Sequence, residues 1–367
     1  MPIRTACSTK DLPDAVAELE QQCGITKPQV GMYFASSRYD AATLSGLMKE
    51  AFPDSTLVGC TTAGEICGDK MLRGSVVAMF LDDDVVEDAA CAVVENLRQE
   101  PLLAEALQEL TVHFRAPMSS LNVRKHVGVV LIDGLCGAEE RLMEKIGSLT
   151  DLFFVGGSAG DDLKFHCAQV MANGKAYISA AVILVLRLKN GFDVLKTQSF
   201  QATNTTLVAT EVDEAHRKVI QFNHKPALDA YAEALNVAPE LVDSLFMRHP
   251  LGLIIQGEPY VRSPQRVEDR SMLFYCQIKE GMELRVLDAT DIVTDTRAAL
   301  EAKKRELGRI AGLIHFHCIL RTLQLRDENK CDQYAAIFSG IPAVGFSTYG
   351  EEYLGHINQT STMLLFR

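Results

Sequence analysis

The chain has 367 residues, 47% of them hydrophobic and 23% charged, with a formal net charge of −12. It can bury a large core and is too long for one small domain, so two domains are expected. A pI near 5.3 argues against a nucleic-acid partner, which would draw on clustered Lys and Arg.

The first residues, MPIRTACSTKDLPDAVAELE, hold no apolar core of signal-peptide length, and no window reaches about 18 uncharged apolar residues. A cytoplasmic protein without membrane insertion is expected. In chain order, the first strand-like run is PQVGMYFAS, followed by an amphipathic stretch of helix length, DAATLSGLMKEAF, and a second apolar run ending in LVGCTTAGEI, Leu57 to Ile66. A further apolar run, GSVVAMFL, reads as a strand. LDDDVVED, Leu81 to Asp88, reads as an exposed charged turn behind it. The same order returns as VGVVLIDG, GAEERLMEKIGSL, VGGSAGDD and YISAAVILVLRL, and again as AGLIHFHCI, RDENKCDQYAAIFSG, VGFSTYGE and TSTMLLF.

VGCTTAGE (Val58 to Glu65) aligns without a gap on VGFSTYGE (Val344 to Glu351), sharing V-G-x-[ST]-T-x-G-E, and VGGSAGDD (Val155 to Asp162) matches after a one-residue deletion. The chain therefore carries a repeated β-α-β-loop-β unit. A helical crossover joins strands that run the same way, which places parallel pairs inside otherwise antiparallel sheet. The motif glycines allow positive φ or close approach to a neighbour, and the short hydroxyls can satisfy loop backbone groups. If the repeats share one role, Glu65 and Glu351 should occupy corresponding positions. The expected class is α/β: a two-region protein with mixed β-sheets covered by helices. The seam falls near Gln221 to Lys225, where the helix PALDAYAEAL begins, giving regions 25–222 and 223–364. Two repeats fall in the first region and one in the second.

The ten cysteines sit mostly inside apolar runs, as at Cys91, Cys167, Cys276 and Cys318, and read as small buried hydrophobes of a reducing compartment. Without Cys-x-x-Cys, the common structural zinc spacing and covalent haem attachment are both missing. G-x-G-x-x-G, G-x-x-x-x-G-K-[ST] and H-E-x-x-H are also missing, so the usual nucleotide and metalloprotease signatures give no enzyme. Cys60 at a strand end reads as packed and inert rather than as a nucleophile. The acidic pairs Glu351-Glu352 and Asp161-Asp162 read as solvated loop ends.

GCTTAGEI, HPLG (His249 to Gly252), YVRSP (Tyr260 to Pro264), FHCILR (Phe316 to Arg321) and GFSTYGEEYLGHINQT (Gly345 to Thr360) resemble the FIST family of sensory proteins, over roughly residues 25 to 364. The resemblance implies signal transduction and small-ligand sensing. In length, and in lacking an attached kinase, cyclase or methyl-accepting region, the chain is similar to the free-standing bacterial branch that binds haem, senses nitric oxide and acts through partner histidine kinases. The implied cofactor is haem. The implied partners are a sensor histidine kinase and a small gaseous or organic ligand, an amino acid being the organic alternative, with homodimerisation left open. The competing class is a small-molecule enzyme whose site is built from the Thr/Ser/Glu loops; the expectation is that the chain is not an enzyme.

Haem needs an apolar slot, an axial ligand and, for gas sensing, an open sixth position. His113, His126, His166, His216 and His224 fall at element edges without pattern. His315 and His317 alternate on one strand and face one side, which suits a metal and equally suits a wet sheet face. Pro250 restricts the backbone of His249 and gives it a fixed presentation. His356 sits in the final motif beside Asn358, Gln359 and Thr360. The axial candidates are therefore His249, His356 and His317. Arg262 and Arg321 each follow an apolar strand and could capture a carboxylate or a haem propionate through the planar guanidinium fork; a salt bridge to Glu65 or Glu351 is the competing assignment.

Overall fold

The computed structural model describes residues 2–367. Its contacts divide into two compact units, one running to Lys196 and taking in Arg297–His356 and Ser361–Arg367, the other comprising Thr197–Thr296 and Ile357–Thr360. The architecture is mixed α/β.

All three repeats lie in the first unit. Each forms a parallel pair across a helical crossover: Val30–Ser36 with Thr56–Thr62, His126–Asp133 with Phe153–Ala159, and Gly312–Cys318 with Ala343–Thr348. The strand that opens each pair is flanked on its other side by an antiparallel strand, respectively Val76–Leu81, Ala181–Leu188 and Thr360–Phe366. The first crossover helix, Ala41–Ala51, starts where Asp40 accepts the Thr43 amide at 2.8 Å, an N-cap bond that satisfies one of its orphan donors. The third crossover differs from expectation. Helix begins at Ile319 directly after the strand, not at Arg326, and runs to Asp327 before a second short helix, Cys331–Ala335.

The short strand after each motif loop leaves its own repeat. Glu65–Cys67 pairs antiparallel with Ala343–Thr348 of the third repeat, Glu351–Tyr353 of the third pairs with Phe153–Ala159 of the second, and Val170–Ala172 after the second pairs with Thr56–Thr62 of the first. The exchange is cyclic, so no repeat completes its sheet alone. The motif glycine is explained by close approach. A Cβ on Gly59, Gly156 or Gly345 would overlap the carbonyl oxygen of Tyr33, Val130 or His315, in each case on the parallel partner strand, and only glycine leaves that space.

The inner faces of the three sheets meet in one cluster containing Phe34, Val129, Phe316 and Phe346, with Phe34 and Phe346 ring centroids 4.6 Å apart. The outer faces pack under helices, through Leu44, Met48 and Phe80 on the first sheet and Leu107, Leu142 and Ile183 on the second. Burial on both faces is why these strands read as continuous apolar runs, each large side chain contributing about 1.5–3 kcal/mol. The second unit is built on an antiparallel sheet ordered Glu258–Arg262, Leu251–Ile255, Glu283–Ala289, Phe200–Asp213, Lys218–Phe222, Ser271–Phe274 and Pro264–Glu268. Helix Ala227–Leu235 packs against it through Tyr231, beside Phe222 and Val286. Among the described residues no helix is long and apolar enough to cross a membrane.

Candidate functional site

The motif loops end in buried acids. Glu65 opens the strand Glu65–Cys67 and is 1% exposed. Its carboxylate accepts from the Thr62 hydroxyl, from the Ser75 amide at 3.0 Å and from the Ser75 hydroxyl at 2.6 Å. Burial raises its pKa to about 7 against the pull of those donors, and Asp162 adds a smaller push. Glu351 opens Glu351–Tyr353 and accepts from the Thr348 hydroxyl. In both gap-free copies the threonine of the motif thus holds the glutamate, and the two acids occupy corresponding positions.

The third copy uses its acids differently. Asp161 accepts from the Tyr349 hydroxyl at 2.6 Å and from the amides of Phe165, His166 and Cys167, while Asp162 accepts from Ser36 and Ser37. The expectation of solvated pairs fails for Asp161, Glu351 and Glu352, all of which are buried. Neighbouring groups donate to Asp161 and Glu351, which is the condition for burying a carboxylate, and Glu352 is matched by a histidine.

That histidine is His356, whose Nδ1 lies 3.0 Å from Glu352 Oε1, both side chains being buried. Burial alone would favour neutral imidazole, but the carboxylate reverses this and holds the pKa up at about 9. The proton stays on His356, and an imidazolium offers no lone pair to a metal. Gly350 makes room for the ring, which an added Cβ would strike.

His315 and His317 share a face and are wholly buried. His317 lies opposite Ser361 on one neighbouring strand and Ser347 on the other. His315 Nε2 is 2.5 Å from Ser361 Oγ. Tyr334, from helix Cys331–Ala335, sets its hydroxyl 3.1 Å from His315 Nε2 and 3.1 Å from His317 Nδ1. Burial pushes both imidazoles down, His315 to about 3, with Arg321 adding to the effect on each. Both are neutral. His317 Nε2 is buried with no hydrogen-bond partner; if Nδ1 carries the ring proton and donates to Tyr334, Nε2 presents a lone pair. Arg321 lies inside helix Ile319–Asp327 and is buried, and its neighbour Thr322 meets Ser347 at 2.8 Å.

In the second unit, His249 Nδ1 lies 2.9 Å from Asp288 Oδ1, and the His249 carbonyl accepts from the Tyr231 hydroxyl. His249 lines a cavity of about 310 Å³ with the aliphatic Ala234, Leu235, Val237, Leu245 and Val286 and the polar Thr203, Thr205 and Asp288. Arg262 pairs in register with Leu251 on the hairpin that follows His249. One of its terminal nitrogens donates to the Val261 carbonyl at 3.2 Å, while Nε is buried without a partner. Among the described residues no three His, Cys, Asp or Glu side chains gather so as to hold a metal ion.

Residues 29–225 match the FIST N domain and residues 227–353 match the FIST C domain. The chain belongs to the FIST family. FIST domains are sensor domains of signal transduction. The chain is also 24% identical over 275 residues to the Uncharacterized protein MJ1623 of Methanocaldococcus jannaschii, an alignment covering 70% of this chain and 53% of that relative. It spans about half the length of the relative it matches.

Within the first unit of this FIST protein, a cavity of about 350 Å³ opens at the carboxyl ends of Val30–Ser36 and Thr56–Thr62, lined by Ser37, Arg38, Asp40, Thr61, Asp161 and Lys164 among others. Strand ends of this kind are where α/β folds commonly take ligands. Arg38 already donates to the Thr9 and Lys10 carbonyls and Lys164 to Ser37 at 2.8 Å. Neither cation stood out in the sequence, where the one usable signal was a position just past a strand end. Of the expected site residues, His317, Arg321 and His356 belong to the first unit, His249 and Arg262 to the second.

Proposed function

We propose that this FIST protein is a sensor that binds a small ligand and regulates a separate sensor histidine kinase without catalysing a reaction of its own. In its sharper form the cofactor is haem and the signal nitric oxide. The observation that supports this best is His249, an imidazole fixed through Nδ1 by Asp288 at the wall of a cavity that is part aliphatic and part polar, which leaves Nε2 as the axial candidate. The residues fit the group: a carboxylate behind the ring orients it, aliphatic side chains form part of the wall beside it, and Arg262, on the hairpin that follows with its Nε buried and unpartnered, is the cation suited to a propionate. Haem bound there would supply an open iron position for a diatomic gas. His317 is the second axial candidate because it is neutral and its Nε2 is unpartnered. The proton held by His356 weighs against that residue.

The ligand can alter kinase regulation only by favouring one conformation of the protein over another, to the extent of its differential affinity. The test is reconstitution of purified protein with haem. A Soret band that shifts when nitric oxide is added to the ferrous form is expected, with haem retention lost in His249→Ala and kept in His317→Ala. Protein that stays colourless overturns the haem reading. The polar cavity then favours a small zwitterion such as an amino acid, with Arg38 and Lys164 as the cations and Asp40 and Asp161 as the anions. Thermal shift across the amino acids, with Arg38→Ala as control, tests that reading.

A further inference from the structure

Two thiols from different sheets of the first unit meet at the edge of its core. Cys7 lies in the strand Ile3–Ser8, and Cys67 ends the strand Glu65–Cys67. Cys67 Sγ donates to the carbonyl oxygen of Ala6, the residue before Cys7, at 3.7 Å, which sets it beside the Cys7 side chain. Both are half-buried against the same apolar cluster. The backbone of Cys7 is held on both sides by one residue, its amide donating to Gln22 Oε1 at 2.9 Å and its carbonyl accepting from Gln22 Nε2 at 3.0 Å. The sulfur is therefore presented from a fixed position.

The electrostatics divide the pair into a nucleophile and a proton carrier. The neighbouring Cys67 side chain, with help from Lys70, brings the Cys7 pKa down to about 6 against burial and the charge of Glu18. The same contact, with burial, pushes Cys67 up. Cys7 is therefore the thiol of the pair that ionises more readily. Elsewhere burial raises the thiols of Cys23, Cys60, Cys91, Cys136, Cys167 and Cys331, which makes them poor nucleophiles.

We propose that Cys7 and Cys67 form a reversible disulfide in response to hydroperoxides. The Cys7 thiolate attacks one oxygen of hydrogen peroxide, the O–O bond breaks, and the hydroxide released takes a proton from solvent to leave as water, with Cys7 left as the sulfenic acid. The Cys67 sulfur then attacks the Cys7 sulfur, the S–O bond breaks, and the hydroxyl departs with the Cys67 proton as a second water. Two thiols lose two electrons and the peroxide gains two; a dithiol reductant reverses the change. The bond ties the first strand to the strand opened by Glu65, and so restrains the first motif loop.

The test treats the full chain with hydrogen peroxide, alkylates the remaining thiols with iodoacetamide and digests it without reduction for mass spectrometry. A linked Cys7–Cys67 peptide that disappears with dithiothreitol is expected. Cys67→Ser should leave Cys7 trapped as a sulfenic acid that dimedone captures, at least about tenfold more than at the exposed Cys167. Cys7→Ser should leave Cys67 fully alkylated. Wild-type protein in which both thiols remain alkylatable after peroxide overturns the proposal without recourse to any variant, as does dimedone labelling of Cys7 no greater than that of Cys167.

Discussion

Replacing Glu65 by Gln keeps the side chain's shape and an acceptor oxygen while removing its titrating proton. The carboxyl titrates at about 7 in the fold against an ordinary 4.5. Below pH 4.5 folded and unfolded chains are both protonated and the contribution of Glu65 is present in full. Above it the unfolded chain releases the proton while the fold retains it, so stability falls with rising pH until the group ionises in the fold as well, at about 7. A displacement of about 2.5 units, at 1.36 kcal/mol per unit, comes to roughly 3 kcal/mol, of which about 2.5 kcal/mol falls between pH 5 and pH 8. The group is 1% exposed, so solvent screening takes little from this. Urea unfolding followed by far-ultraviolet circular dichroism at pH 5 and pH 8 measures it. The wild-type loss of stability between those pH values should exceed that of Glu65→Gln by about 2.5 kcal/mol. Any cost of turning the amide as a donor toward Ser75 or Thr62 is the same at both pH values and cancels. Parallel profiles in the two proteins would refute the reasoning.

Gly59→Ala and Gly345→Ala drive a methyl into the carbonyls of Tyr33 and His315 and should each cost about 3 kcal/mol or more, seen as a large drop in melting temperature. Gly46→Ala, inside helix Ala41–Ala51 with nothing near the added carbon, should instead stabilise by about 0.5–1 kcal/mol. His356→Ala leaves Glu352 buried without its cation and should cost about 3–5 kcal/mol at pH 7, with Glu352→Gln added to the variant recovering part of the loss. Tyr334→Phe removes the hydroxyl that meets His315 and His317 and should cost about 1–3 kcal/mol in urea unfolding.

What was legible in the sequence is what periodicity imposes on a single element. Period two put His315 and His317 on one face, and the register with Ser347 and Ser361 agrees. The shared V-G-x-[ST]-T-x-G-E matched Glu65 to Glu351, and both acids are held by the threonine of their motif. The chemistry of each site comes from another element, and there the linear signal ends. Acids at loop ends are usually solvated, and Glu352 is buried here because the chain returns to set His356 against it. Tyr334 reads as one residue of an amphipathic helix, yet its hydroxyl joins two histidines. Cys7 and Cys67 have no spacing that marks a pair; they meet because Glu65–Cys67 crosses to the sheet of the third repeat. A glycine at Gly59, Gly156 and Gly345 announces that some backbone comes close, but only the parallel pairing inside each repeat shows which: the carbonyl of Tyr33, Val130 or His315 occupies the space a Cβ would need.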